Sequence, residues 1–103
     1  QLEIEPRGLI LGVFQDAVYT STTFQLTPGC KILLYTDGIT EARSDTGEYF
    51  GFNRLVHFMQ HYFEENPDSD AKSCINTLFS VINAFYGKNS PNDDRTAVLI
   101  SIL

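Results

Sequence analysis

Residues 26 to 51 read LTPGCKILLYTDGITEARSDTGEYFG, and this stretch decides how the chain folds. Thr27-Pro28-Gly29 is a turn signal, Cys30 to Tyr35 is an apolar run of strand length, and Asp37-Gly38 ends it. The preceding run from Ala17 to Leu26 is rich in β-branched and aromatic residues. We expect these two runs to form an antiparallel hairpin around the Pro-Gly turn.

Two amphipathic helices are predicted downstream. Apolar residues recur at three- and four-residue spacing from Phe52 to Phe63 and again from Ala71 to Phe85. Asp68 or Ser69 is expected to cap the second helix and Gly87 to end it.

Strand-like runs lie at both ends of the chain. Thr96 to Leu103 (TAVLISIL) is almost entirely apolar or β-branched and predicts a central, well-buried strand. Leu2 to Ile4 and Leu9 to Phe14 are shorter candidates. Strands, then two helices, then a strand favour an α+β fold with the helix pair on one sheet face. We treat residues 1–103 as one segment of a single domain.

Composition excludes several classes of function. Seven basic residues against 13 acidic ones give a net charge of -6, which repels nucleic acid and anionic membrane surfaces. No apolar run approaches the ~20 residues of a membrane span. Cys30 and Cys74 match no zinc or redox spacing and are expected to be free thiols in a reducing cytoplasm.

Carboxylates stand at two strand ends. Asp37 follows CKILLY with only Thr36 between them, and Asp93-Asp94 precedes TAVLISIL with only Arg95 between them. If these strands are neighbours, Asp37 and Asp93 would converge, and carboxylates are the ligands that Mg²⁺ and Mn²⁺ prefer. From the residues alone, the alternative is that both positions are ordinary turns.

The sequences of these motifs resemble those of the SpoIIE family of PPM-type serine/threonine phosphatases. The similarity covers the Pro-Gly turn, YTDG, Thr-Glu-Ala and Phe-Gly between Leu26 and Gly51, and it continues in the closing NDDRTAVLI. The segment Gly8 to Val13 (GLILGV) is a looser counterpart of a family segment before the hairpin. The resemblance implies the C-terminal portion of an α-β-β-α sandwich with antiparallel sheets.

The resemblance also implies a chemistry. PPM phosphatases hydrolyse phosphoserine and phosphothreonine with a pair of Mn²⁺ or Mg²⁺ ions and without a covalent phosphoenzyme. By motif position, Asp37 and Asp93 match metal ligands, with Gly38 and Asp94 beside them. The implied partner is a phosphorylated regulatory protein, such as an anti-sigma-factor antagonist.

The family's remaining ligands belong to a D-G-x-G segment that does not occur in these 103 residues. We therefore expect the N-terminal part of the domain to lie outside this segment and the segment alone to be inactive. A sheet face left exposed by the missing half would favour a homodimer.

Other interpretations of the same residues stay open. A haloacid-dehalogenase-type phosphatase needs a nucleophilic Asp where Tyr35 stands, so that class is disfavoured. A non-catalytic partner-binding module of the same fold is the second hypothesis.

His57 and His61 lack an HExxH arrangement and are interpreted as helix-surface residues. Glu41 is interpreted as a helix-start or surface charge.

Overall fold

The computed structural model describes residues 15–16, 21, 23, 25–87 and 94–103. The elements in this part of the chain are β1 (Lys31–Tyr35), α1 (Asp37–Thr40), α2 (Gly51–Glu65), α3 (Ala71–Tyr86) and β2 (Ala97–Ser101). Helices and a small antiparallel sheet are therefore combined in one α+β arrangement. The two predicted helices are confirmed between the strands.

β1 and β2 form an antiparallel pair. Lys31 lies opposite Ser101, and Tyr35 lies opposite Ala97. Backbone hydrogen bonds extend the pairing beyond the strand bounds, because the Ile102 N–H donates to the Cys30 carbonyl at 3.0 Å. The end of β1 is consequently adjacent to the start of β2.

The predicted hairpin is wrong for the described part of the run that precedes β1. The Pro-Gly turn itself is present, with Gly29 at φ +88° and the Cys30 N–H donating to the Thr27 carbonyl at 3.1 Å. However, residues 21, 23, 25 and 26 lie in no strand. β1 instead pairs with β2, which places Leu33 opposite Leu99 on the helix-covered face. The other residues of that run, and the candidate strands at 2–4 and 9–14, lie outside the described residues.

An apolar core lies between the sheet and the helices. α3 contributes four buried residues spaced one turn apart: Cys74, Leu78, Ile82 and Tyr86. The last three pack with a set contributed by α1, α2 and the loop between them: Ile39, Ala42, Phe50 and Leu55. No polar or charged residue is buried in the described part of the chain. Burial raises the pKa of the Cys74 thiol, which therefore stays protonated and apolar at neutral pH.

The two faces of the sheet differ. Leu33 and Ala97 pack against the core, whereas Leu34, Val98 and Ile100 are 54%, 48% and 40% exposed. The prediction of a central, well-buried last strand is thus wrong for residues 96–103. Alternate side chains of a strand point to opposite faces, and in the described residues the helices cover one face.

The predicted cap of helix α3 is wrong by one residue for Ser69 and by two residues for Asp68. Its cap is Asp70, whose carboxylate accepts a hydrogen bond from the Ser73 N–H at 2.8 Å. Ser69, one of the two predicted caps, instead forms a hydroxyl pair with Tyr62 of α2 at 2.6 Å. Gly87 directly follows the helix with φ +61°, in agreement with the prediction that it ends this helix. No described helix has the length and apolar character that a membrane crossing requires.

Candidate functional site

Two chain segments meet where β1 ends and β2 begins. We call this region the site end of the sheet and define it as residues 36–38 and 94–96. The Thr36 N–H donates to the Thr96 carbonyl at 3.0 Å, so the ladder continues one step past Tyr35 and Ala97. Asp37 directly follows Thr36 in the chain, and Asp94 precedes Thr96 by two residues, so both lie next to this last rung.

The Thr36 side chain ties the two segments together. Its hydroxyl accepts a hydrogen bond from the Thr96 N–H at 3.0 Å and donates to the Asp94 carbonyl at 3.3 Å. A threonine directly before the Asp-Gly pair is the sequence signal for this role. Thr36 therefore fixes the backbone of the residues that precede β2.

Gly38 is required for space at this position. It is buried in α1, and a side-chain carbon there would overlap the carbonyl oxygen of Asp94. Its φ is not positive, so glycine is needed here for the close approach of two backbones and not for a left-handed turn. The absence of a side chain lets the Asp37 turn lie directly on Asp94.

Asp37 begins the single helical turn α1. The Ile39 N–H donates to the Thr36 carbonyl at 3.0 Å, and the Glu41 N–H donates to the Asp37 carbonyl at 2.7 Å. Ile39 is fully buried in the core, whereas Asp37 is exposed. A buried anchor two residues along the chain thus holds the Asp37 carboxylate at the surface. Glu41 is also exposed, in agreement with its interpretation as a surface charge.

The second predicted carboxylate position is only partly described. Asp94 is exposed, and its backbone carbonyl accepts a hydrogen bond from the Thr36 hydroxyl. Asp93, the predicted metal ligand, lies outside the described residues. The condition set by the sequence, that the two strands be neighbours, is met by the β1–β2 pairing. The assignment of Asp37 and Asp93 as ligands stays a prediction.

The residue types at the site end suit a hard divalent cation. Asp37 and Asp94 offer carboxylate oxygens at the surface, where water can complete the coordination of Mg²⁺ or Mn²⁺. In the described ranges, no group of three His, Cys, Asp or Glu side chains is placed to hold a metal ion. These residues therefore fit as one part of a carboxylate site and need further donors.

The histidine pair lies away from the site end. His57 and His61 are exposed on α2, with ring centroids 4.2 Å apart. They line an open groove of about 1110 Å³ between α2 and α3, together with Phe58, Tyr62 and Phe85. Residues of the site end do not line this groove. The interpretation of both histidines as helix-surface residues is confirmed.

Comparison with known families identifies the chain. The family model described as Stage II sporulation protein E (SpoIIE) matches residues 1–103. The chain belongs to the SpoIIE family. This SpoIIE-family chain is 40% identical over 79 residues to the phosphoserine phosphatase RsbU of Bacillus subtilis (strain 168), a match that covers 75% of the chain. It is also 33% identical over 65 residues, 63% of its length, to Protein IcfG of Synechocystis sp..

Both relatives are much longer than the matched region. The match spans 22% of the Bacillus protein and 10% of the Synechocystis protein. No solved structure matches the chain. Membership of the SpoIIE family therefore rests on the match of the family model to all 103 residues of this chain. The geometry of the site end comes from this structure.

Proposed function

We propose that this chain is part of a metal-dependent serine/threonine protein phosphatase. The observation that carries the proposal is the antiparallel pairing of β1 with β2, which brings the Asp37 turn against Asp94. Membership of the SpoIIE family and the similarity to a phosphoserine phosphatase support the same activity.

In this proposal, the carboxylates and the glycine at and beside the site end have separate roles. Asp37 and Asp93 hold Mn²⁺ or Mg²⁺, Asp94 lies beside them, and Gly38 keeps the two segments close. When bound, such ions supply activation of a water molecule and neutralisation of phosphoryl charge. The chain itself contributes the carboxylates and the hydrogen-bonded frame that orients them.

The proposed fold of the complete domain is the PPM sandwich, in which residues 1–103 form a C-terminal portion. The exposed sheet face supports this, because Leu34, Val98 and Ile100 present an apolar surface opposite the helices. We propose that a second antiparallel sheet of the domain covers this face. In its absence a second copy would cover it, and size-exclusion chromatography would then show a dimer of the segment. A monomer would count against self-association.

The proposed substrate is a phosphorylated regulatory protein of a signalling system that controls a sigma factor, such as an anti-sigma-factor antagonist. We propose a cytoplasmic location, where the free thiols of Cys30 and Cys74 stay reduced. Because further metal ligands are needed, activity is assigned to the full-length protein rather than to this segment.

Calorimetric titration of the full-length protein with Mn²⁺, paired with phosphopeptide hydrolysis, tests the proposal. We expect Asp37→Asn to reduce both metal affinity and hydrolysis by about a hundredfold or more, because an amide is a weak ligand for a hard cation. Stability should change by less than about 0.5 kcal/mol, since Asp37 is exposed.

The matched control is Asp68→Asn. Asp68 is an exposed carboxylate in the turn between α2 and α3, remote from the site end in the chain. It should leave metal binding and hydrolysis unchanged. If the wild-type protein neither binds Mn²⁺ nor hydrolyses the phosphopeptide, the catalytic proposal fails and a partner-binding role takes its place.

A further inference from the structure

Arg95 connects the site end to helix α3. It lies in the chain between Asp94 and Thr96, but its guanidinium reaches away from them to the helix. Nη1 donates to the Asn83 side-chain oxygen at 2.7 Å, and the guanidinium carbon lies 5.4 Å from the ring centroid of Phe79 and 5.3 Å from that of Tyr86. One side chain therefore contacts three residues of α3.

The same side chain also reaches the α1 turn. A side-chain carbon at Gly38 would lie 3.3 Å from the Cγ atom of Arg95, so the aliphatic stem of the arginine packs beside this glycine. Arg95 is half-buried as a result. Its stem contacts the turn that carries Asp37, its backbone follows Asp94, and its charged group is held on α3.

We propose that Arg95 is a positioning residue, which holds the start of β2 on helix α3 and so sets where Asp94 lies against the Asp37 turn. This inference rests on the proposed metal-dependent activity. Arg95 touches no substrate in this role. It acts through the backbone at 94–96, to which the Thr36 hydroxyl is hydrogen-bonded.

A guanidinium suits this task better than an ammonium group. Its planar group stacks on aromatic rings while it donates directional hydrogen bonds to an amide oxygen. Tyr86 is a core residue and Phe79 packs against the core, so Arg95 connects the site end to the packed face of α3. A shift of α3 would accordingly move the site end.

The test is calorimetric Mn²⁺ binding by the full-length protein carrying Arg95→Ala, Arg95→Lys or Asn83→Ala. We expect Arg95→Ala to weaken Mn²⁺ affinity by about tenfold, the lower limit of effects from residues that orient metal ligands. Asn83→Ala should weaken it by about two- to threefold, because the ring contacts remain. Arg95→Lys should restore part of the lost affinity.

Steady-state kinetics separate positioning from general damage. At saturating Mn²⁺, Arg95→Ala should recover most of its kcat, and KM for the phosphopeptide should stay within about twofold of wild type. Arg43→Ala is the matched control, because Arg43 also stacks on a tyrosine, Tyr49, and hydrogen-bonds to it, within the loop after α1. It should leave Mn²⁺ affinity unchanged.

Two outcomes would overturn the inference and leave the proposed function intact. One is wild-type Mn²⁺ affinity in both Arg95→Lys and Asn83→Ala when Arg95→Ala fails to fold. The other is a folded Arg95→Ala with wild-type affinity. If the wild-type protein itself binds no Mn²⁺, the proposed function is what fails.

Discussion

We call α2 and α3 together the helical layer. Different kinds of interaction stabilise this layer and the site end of the sheet. The layer is apolar, and its central residues, such as Leu78 and Ile82, have no exposed surface. At the site end, Asp37 and Asp94 are exposed, and backbone and threonine hydrogen bonds join their segments. Stability and metal binding should therefore respond to different substitutions.

The largest expected effect belongs to the helical layer. Leu78→Ala should lower the free energy of unfolding by about 2–5 kcal/mol, because it removes buried methyl groups and leaves a cavity. Urea denaturation followed by circular dichroism measures this change. Under conditions where the variant stays folded, its Mn²⁺ affinity should match that of the wild type.

Val81→Ala provides the control on the same helix. Val81 is 38% exposed, so its truncation should lower stability by less than about 1 kcal/mol. A folded Leu78→Ala protein with strongly weakened Mn²⁺ binding would show that the two regions are not separable in this way.

A substitution at Gly38 should affect both regions. Gly38→Ala places a methyl group on the Asp94 carbonyl, and relief of this overlap should cost about 1–3 kcal/mol of stability. Because the two segments of the site end must separate, Mn²⁺ affinity should fall as well. Parallel urea denaturation and calorimetry measure the two effects.

Gly29→Ala separates these two effects. Gly29 has φ +88° and no atom near its missing side chain, so alanine there should cost about 1–2 kcal/mol through backbone strain alone. Its Mn²⁺ affinity should stay at the wild-type level. Equal losses of affinity in both glycine variants would contradict a specific role for the contact between Gly38 and Asp94.

The helices and β1 could be predicted from the sequence because their signals are local. The apolar spacing within 52–63 and 71–85 repeats every three or four residues, and α2 and α3 cover both stretches. The pairing of β1 could not be predicted in this way. Its partner lies about 65 residues along the chain, and no short-range pattern distinguishes that partner from a neighbouring β-branched run.

The candidate site shows the same division. The carboxylates at two strand ends predicted that Asp37 approaches the start of β2 if the two strands are neighbours, and the β1–β2 pairing meets that condition. The role of Asp37 as a metal ligand stays a prediction. The contributions of Thr36 and Arg95 depend on contacts across about 60 and 12 residues of sequence, respectively. Such contacts exist only after the sheet and helices have packed, so residue type alone did not reveal them.

The smallest expected effect concerns an exposed carboxylate that supports the helical layer instead of the site. Asp70 caps α3, and its hydrogen bonds with Ser73 hold its pKa below the usual 3.8. A lowered folded-state pKa means that Asp70 stabilises the fold above its unfolded pKa, and this contribution is lost as pH falls through the folded value.

Asp70→Ala should therefore lower the melting temperature by a few degrees at pH 7, and the difference from wild type should vanish in acid. Thermal unfolding between pH 7 and about pH 2 measures this difference in melting temperature. Asp68→Ala is the control, because it removes a carboxylate that does not cap the helix, and it should show a smaller change at every pH. A constant difference across that range would mean that Asp70 acts through helix geometry rather than through its charge.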